Sequence, residues 1–202
     1  IMIFFTADLH LGQEKFLDFT KRPFDDVHQM SDYIIDSINL TVKEEDTLYI
    51  LGDFCGRTVD PEPYIKRINC NNINLIYGNH DLDNRTLCEK HSNIFQEVSI
   101  YKEIMYDNNK VVLFHYPLRR WNKDWGGSWM LYGHAHSNLS EYDNRKLTLD
   151  VGVDNTISDK RFGTPRSIVE IKKLFNLRKE KISSFPIDNA DKILYDRRNK
   201  TR

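Results

Sequence analysis

The tetrapeptide Gly78-Asn79-His80-Asp81 closes a largely apolar run, Ile73 to Tyr77, and this junction limits what the chain can become. An apolar run this short, bounded by a turn signal, reads as a buried strand. Glycine lets the backbone turn sharply straight after it. Three polar side chains then arrive at the strand's carboxyl end, where open α/β sheets hold their ligands. Asn79 offers a neutral oxygen donor, and His80 exchanges a proton near neutral pH. Asp81 is placed to hold that imidazole in one orientation. A Gly-Asn turn also arises for backbone reasons alone, so the weight falls on whether other strand ends repeat the pattern.

They do. The β-favouring run Ile1 to Ala7 ends in Asp8-Leu9-His10. Alternate side chains of an extended strand point the same way, so Asp8 and His10 are expected to act together as one oxygen and one imidazole donor. The run Thr47 to Leu51 ends in Gly52-Asp53. Between these runs Val27, Met30, Ile34 and Ile38 recur at helical spacing over Asp25–Leu40, and a shorter helix is expected over Pro61–Ile68. Alternating strands and helices favour an α/β sheet with parallel neighbours. After residue 97 the pattern changes. Val98–Tyr106 and Val111–His115 read as a hairpin joined by Asp107-Asn108-Asn109-Lys110. Met130-Leu131-Tyr132 then leads into Gly133-His134-Ala135-His136, two histidines that can reach one site if the segment is extended. A second hairpin is expected from Glu141-Tyr142 to Lys146–Val151 through Asp143-Asn144, and a final helix over Ile168–Phe175 capped by Ser167.

The charge balance, 29 basic against 30 acidic residues, gives no overall basic field for nucleic acid or membrane. No apolar run is long enough to span a membrane, and the start lacks a signal-peptide layout. Cys55, Cys70 and Cys88 are odd in number and form no C-x-x-C pair, so reduced thiols in a cytoplasmic setting are expected rather than a disulfide framework or zinc knuckle. The loop from Arg119 to Trp129 carries Arg119, Arg120, Trp121 and Trp125. It reads either as a hydrophobic cluster under a long loop or as a rim that stacks a ring and lends arginines to a phosphate. Arg22, before Pro23, is a further arginine that could reach a phosphate. Residues 1–177 are expected to form one domain, and 178–202 a polar, basic tail, extended or frayed.

Taken in order, Asp8-x-His10, Gly52-Asp53, Gly78-Asn79-His80-Asp81, His115 and Gly133-His134-x-His136 resemble the five signature blocks of the calcineurin-like metallophosphoesterases. His115-Tyr116-Pro117 with Trp121 is similar to small stand-alone members from bacteria and phages. The second block departs from the common Gly-Asp-x-x-Asp-Arg-Gly by reading Gly-Asp-Phe-Cys-Gly-Arg at 52–57, which keeps Asp53. The resemblance implies a four-layer α/β/β/α sandwich of two mixed sheets flanked by helices. It also implies two divalent metal ions, with Mn²⁺ favoured and Fe, Zn²⁺ or Ni²⁺ as alternatives. Asp8, His10 and His136 would hold one ion, Asn79, His115 and His134 the other, and Asp53 would bridge them. A hydroxide generated between the ions would attack phosphorus in line. His80 would protonate the leaving oxygen or stabilise its charge, oriented by Asp81. The implied activity is hydrolysis of a small phosphate ester. A phosphodiesterase acting on nucleotide or cyclic nucleotide esters is preferred, with Trp121, Arg119, Arg120 and Arg22 at the substrate. A phosphomonoesterase, a nuclease on single-stranded ends and a non-catalytic scaffold are the alternatives.

Overall fold

The computed structural model describes residues 1–139, 146–156 and 161–184. The first arm and turn of the hairpin expected at 141–151, and the part of the expected tail beyond 184, lie outside the described residues.

Strand β1 (Ile3–Thr6) runs parallel to β2 (Thr47–Ile50), β2 to β3 (Asn72–Ile76), and β3 to β4 (Glu97–Ser99). A two-residue antiparallel strand, β9 (Arg166–Ser167), closes the far edge in the order β4-β3-β2-β1-β9. The second sheet has the order β5-β6-β7-β8, from β5 (Tyr101–Tyr106), β6 (Asn109–Phe114), β7 (Trp129–Tyr132) and β8 (Thr148–Asp150). Its first pair is antiparallel and the other two are parallel, so both sheets are mixed.

Alternation along the strands divides the core. Phe4, Leu48, Ile50 and Leu75 face α2 (Val27–Thr41), whose Met30, Ile34, Ile35 and Ile38 are buried against them. Phe5, Tyr49, Leu51 and Ile76 face the other way, onto Val111, Leu113, Trp129, Leu131 and Leu149 of the second sheet. This inner layer joins the two sheets, and period-two alternation is what lets one strand serve both cores. Helix α2 starts where Asp26 accepts the backbone N–H groups of His28 and Gln29, each at 2.8 Å. Helix α3 (Glu62–Ile65) is shorter than the expected 61–68 span, because Pro61 fixes its start and a tighter turn ends it.

One expected strand proves to be two. Residues 97–99 pair with β3 in the first sheet, whereas 101–106 pair with β6 in the second. Ile100, 56% exposed, stands at the crossing between sheets. The hairpin that follows turns on only two residues, Asp107 and Asn108, with φ of 45° and 63°. Positive φ at both central positions is the type I′ geometry that matches strand twist, so Asn109 and Lys110 are free to join β6.

The last helix, Ile168–Ser184, runs nine residues past the expected end at Phe175. The expectation of an extended or frayed chain from 178 is therefore corrected for 178–184. Ile168, Ile171 and Phe175 are buried in the inter-sheet layer. Arg178 is also buried, with its guanidinium against the Phe175 ring and hydrogen-bonded to the Thr148 carbonyl, and these contacts carry the helix onward. No helix among the described residues is long and apolar enough to cross a membrane. Ser167 and Glu170 form a reciprocal cap: Ser167 Oγ accepts the Glu170 N–H at 3.3 Å, and Glu170 Oε2 accepts the Ser167 N–H at 2.9 Å. Ser167→Ala should lower unfolding free energy by about 1 kcal/mol in urea titration, with metal binding unchanged.

Candidate metal centre

The carboxyl ends of β1, β2, β3, β6 and β7 meet at one place, and each delivers chemistry-bearing side chains there. Asp8 and His10 follow β1, Asp53 follows β2, Asn79 and His80 open α4 (Asn79–Asp83), His115 follows β6, and His134 and His136 follow β7. Ligand atoms of Asp8, His10 and His136 lie within 4.8 Å of one another, as do those of Asp53, His115 and His134, and those of His10, Asp53 and His80. Asn79 Oδ1 is 3.2 Å from His115 Nε2. All seven residues expected as metal ligands are therefore brought together, with Asp53 and His10 each belonging to two of the groups.

The backbone reaches this arrangement differently from the sequence expectation. Asp8, His10, Asp53, His134 and His136 all have positive φ, between 45° and 67°. The donors converge from left-handed turns, not from extended strand ends. Close approach of the chains is equally specific. A Cβ on Gly52 would run into the His115 imidazole and the Gly78 backbone, and one on Gly78 would collide with the Asp53 carboxylate. At these two positions only glycine lets β2 and β3 come so near.

Hydrogen bonds fix which imidazole nitrogens face inward. His115 Nδ1 lies 2.8 Å from the Leu51 carbonyl, which can only accept, so Nδ1 carries the proton and Nε2 presents its lone pair 3.5 Å from Asp53 Oδ2. His136 Nδ1 is 2.7 Å from Asp154 Oδ2, and His10 Nδ1 is 3.0 Å from Gln13 Oε1. His10 Nε2 is then buried with no hydrogen-bond partner, 3.7 Å from Asp53 Oδ2. A buried, orphaned imidazole nitrogen aimed at a carboxylate fits a divalent cation between them. The electrostatics agree. Burial raises the Asp8 carboxyl well above its ordinary range, helped by the charges of Asp150 and Asp53, and burial brings Asp53 to about 6. Burial also lowers His10 far below its usual value and takes His115 to about 4. Crowded carboxylates and neutral imidazoles are the state that cations relieve.

Asp81 does not orient the His80 imidazole. Its carboxylate, fully buried, accepts the backbone N–H of Asp53 at 2.7 Å, of Phe54 at 2.9 Å and of Gly78 at 2.8 Å. The reason is its place on the third residue of α4, where a side chain turns back onto the helix start. His80 is instead tied through its backbone N–H to Asp53 Oδ1, at 2.9 Å, and its ring Nδ1 is buried without a partner.

Two of the expected substrate contacts, Arg22 and Trp121, are also corrected. Arg22 is buried, and all three of its nitrogens are engaged: Nε and Nη2 with Asp154, Nη1 with the Leu9 carbonyl and Nη2 with the Asp8 carbonyl. Trp121 is 9% exposed, packs with Val112, Met130 and Tyr132, and donates its indole N–H to the Ser128 carbonyl. The exposed Arg120 forms an ion pair with Asp124. Arg119 is exposed on the same loop. Residues that sequence reasoning passed over take their places. Phe16 stacks on the His10 ring with centroids 3.4 Å apart, and Phe19, 75% exposed, lies edge-on to His136 at 6.4 Å. Asp154 was legible only as another carboxylate just past a strand, in Asp150-Val-Gly-Val-Asp154.

The sequence model of the calcineurin-like phosphoesterase superfamily domain matches residues 24–172. The match starts after Asp8 and His10, so these two rest on the geometry above. Among curated proteins, the uncharacterized protein MJ1445 of Methanocaldococcus jannaschii is 26% identical over 159 residues, covering 75% of this chain and 81% of that protein. The gene 66 protein of Mycobacterium phage L5 is 27% identical over 185 residues, covering 74% and 85%. Among solved structures, protein AQ665 of Aquifex aeolicus, of unknown function, superposes with a TM-score of 0.66 at 26% identity, covering 86% of this chain and 98% of that one.

The reassignment of Asp81 has a measurable consequence. Asp81→Ala strands three buried N–H donors, each costing about 1–3 kcal/mol, and should strongly destabilise the chelator-treated protein in urea. His80→Ala should stay within about 1 kcal/mol of the parent. Equal losses would restore a direct Asp81–imidazole link.

Proposed function

Because the chain belongs to the calcineurin-like phosphoesterase superfamily, we propose that this hydrolase is a phosphodiesterase acting on nucleotide esters at a pair of divalent cations. The observation that carries this reading is Asp53, shared between two ligand groups, one with His115 and His134 and one with His10 and His80. Asp8, His10 and His136 would hold one cation, Asn79, His115 and His134 the other, with Asp53 between them. Carboxylate, amide and imidazole donors together suit Mn²⁺, with Fe, Zn²⁺ or Ni²⁺ as neighbours in the same chemistry. Such cations supply Lewis-acid charge that offsets developing phosphoryl charge and makes water nucleophilic near neutral pH.

The protein's own groups do the rest. Burial, assisted by the Arg57 charge, takes His80 down to about 4, so its imidazole is neutral at pH 7 with one N–H to donate. A neutral donor beside the cluster stabilises negative charge on the leaving oxygen by hydrogen bonding as that charge develops. Arg57, paired with Asp83 at 3.2 Å and half-exposed, is a cation whose field reaches His80. Arg22 is buried and occupied by Asp154, so it offers no charge to a monoester dianion, which favours a diester with its single negative charge. The exposed Phe19 ring beside His136 offers an apolar surface for the second ester group.

Chelator-treated protein reloaded with Mn²⁺ should hydrolyse bis-p-nitrophenyl phosphate faster than p-nitrophenyl phosphate. His80→Ala should lower kcat by about 10²–10⁴-fold with metal content retained. No turnover with any of the four metals would mark a binding scaffold, and a preference for the monoester would move the assignment to a phosphomonoesterase. Phe19→Ala should raise KM for thymidine 5′-(p-nitrophenyl phosphate) roughly fivefold or more, from the worth of base–aromatic stacking, while leaving methyl p-nitrophenyl phosphate unaffected. Equal changes on both esters would leave Phe19 no part in holding the base.

A further inference from the structure

Behind the cluster lies a second, buried arrangement that the expected ligand set does not include. Arg22 and Asp154 form a two-point ion pair, Nε to Oδ1 at 3.0 Å and Nη2 to Oδ2 at 2.8 Å. The Arg22 side chain is fully buried, and that of Asp154 is 13% exposed. A guanidinium fork on a carboxylate is geometrically restrictive, since both oxygens are fixed at once. Each partner then reaches one side of the same ligand group. Arg22 donates to the Asp8 carbonyl at 2.6 Å and to the Leu9 carbonyl at 3.0 Å, within the left-handed stretch that sets the directions of Asp8 and His10. Asp154 Oδ2 holds His136 Nδ1 at 2.7 Å.

We propose that Arg22 and Asp154 are positioning residues forming one clamp that preorganises Asp8, His10 and His136 for a single cation. The inference rests on the metal-centre reading above. Three features support it. The clamp joins segments 132 residues apart, so nothing local would bring those ligands together. It fixes the His136 tautomer with Nδ1 protonated, leaving Nε2 as the donor. Its direct bonds are also one-sided: they reach Asp8, Leu9 and His136, whereas the His115 ring is oriented by the Leu51 carbonyl and His134 meets the clamp only through the Asp8 carboxylate. Losing Asp154 should therefore weaken one cation and spare the other.

The test is calorimetric titration of chelator-treated protein with Mn²⁺ alone, without substrate. The parent should bind two ions. Asp154→Asn should weaken one of them by about 10–100-fold, as supporting partners of metal-bound histidines do, and leave the other within about threefold. Arg22→Lys, which keeps the charge but loses the fork, should weaken the same ion and covers the case in which Asp154→Asn does not fold. In a His136→Ala background the Asp154→Asn effect should shrink, because one of the two routes by which it reaches the ligand group is gone. An undiminished effect there, equal weakening of both ions, or unchanged affinity would each overturn the clamp. Failure of the parent to bind Mn²⁺ would overturn the metal centre and the clamp with it, whereas two ions bound alike by parent and variants would overturn the clamp alone.

Discussion

The buried carboxylate of Asp81 joins the ends of β2 and β3 by accepting three backbone N–H groups, from Asp53, Phe54 and Gly78. Those donors stand where two strands stop and their ladder hydrogen bonds run out. Left unpaired in a buried place they would be costly. With them satisfied, Gly52 and Gly78 can approach backbone to backbone, Asp53 is fixed between the two sheets' ends, and the His80 N–H can reach Asp53 Oδ1. His10, His80, His115 and His134 place donor atoms within 4.8 Å of Asp53. Asp81 thus shapes the centre through the backbone N–H of Asp53 and its neighbours, which occupy its carboxylate.

The parallel strands of the first sheet and the candidate donors at their ends were legible from local rules, whereas the two-sheet sandwich and the full set of seven donors were legible through the resemblance of the five blocks to a known family. Short apolar runs ending in glycine and a carboxylate or histidine mark parallel strand ends, and parallel strands put those ends on one side. What was not legible depends on contacts between distant residues. The 97–106 segment shows one run of β-favouring residues, yet it serves two sheets, because the choice of partner at Ile100 is made by β3 and β6 and not by the segment itself. Arg22 reads as a loop arginine until Asp154 is beside it. Trp121 reads equally as a stacking rim or a packed core residue, and Val112, Met130 and Tyr132 decide for the core.

Aromatic content near the centre shows the same division. The tryptophan-bearing loop enters β7 at the end away from His134, and its Trp121 packs on Val112, Met130 and Tyr132 of the second sheet. Rings at the centre include Tyr116, edge-on to His115 and His134, and those of the six-residue helix α1 (Lys15–Thr20), held by a turn in which Lys21 adopts φ of 53°. Phe16 shields the His10 face from water, which keeps that imidazole neutral and available as a donor. Phe19 sits one turn on and faces solvent.

The left-handed backbone at Asp8, His10, Asp53, His134 and His136 is what makes the cluster small. Had Asp8 and His10 continued an extended strand, their side chains would have shared a direction, but their Cα atoms would stand roughly 6.6 Å apart at about 3.3 Å per residue. Left-handed turns rotate the chain instead, and the donor atoms of Asp8, His10 and His136 come within 4.8 Å of one another. Each such residue costs on the order of 1–2 kcal/mol, and persists only if its surroundings hold it. Here they do: the Asp8 and His10 N–H groups donate to the Gly52 and Asp53 carbonyls, Arg22 takes the Asp8 and Leu9 carbonyls, and the His134 N–H bonds to the Asp8 carboxylate. Backbone strain and buried polar pairing are thus two sides of one device. Relaxing the strain would widen the cluster beyond the reach of a small cation, and removing the pairing would let the strain relax.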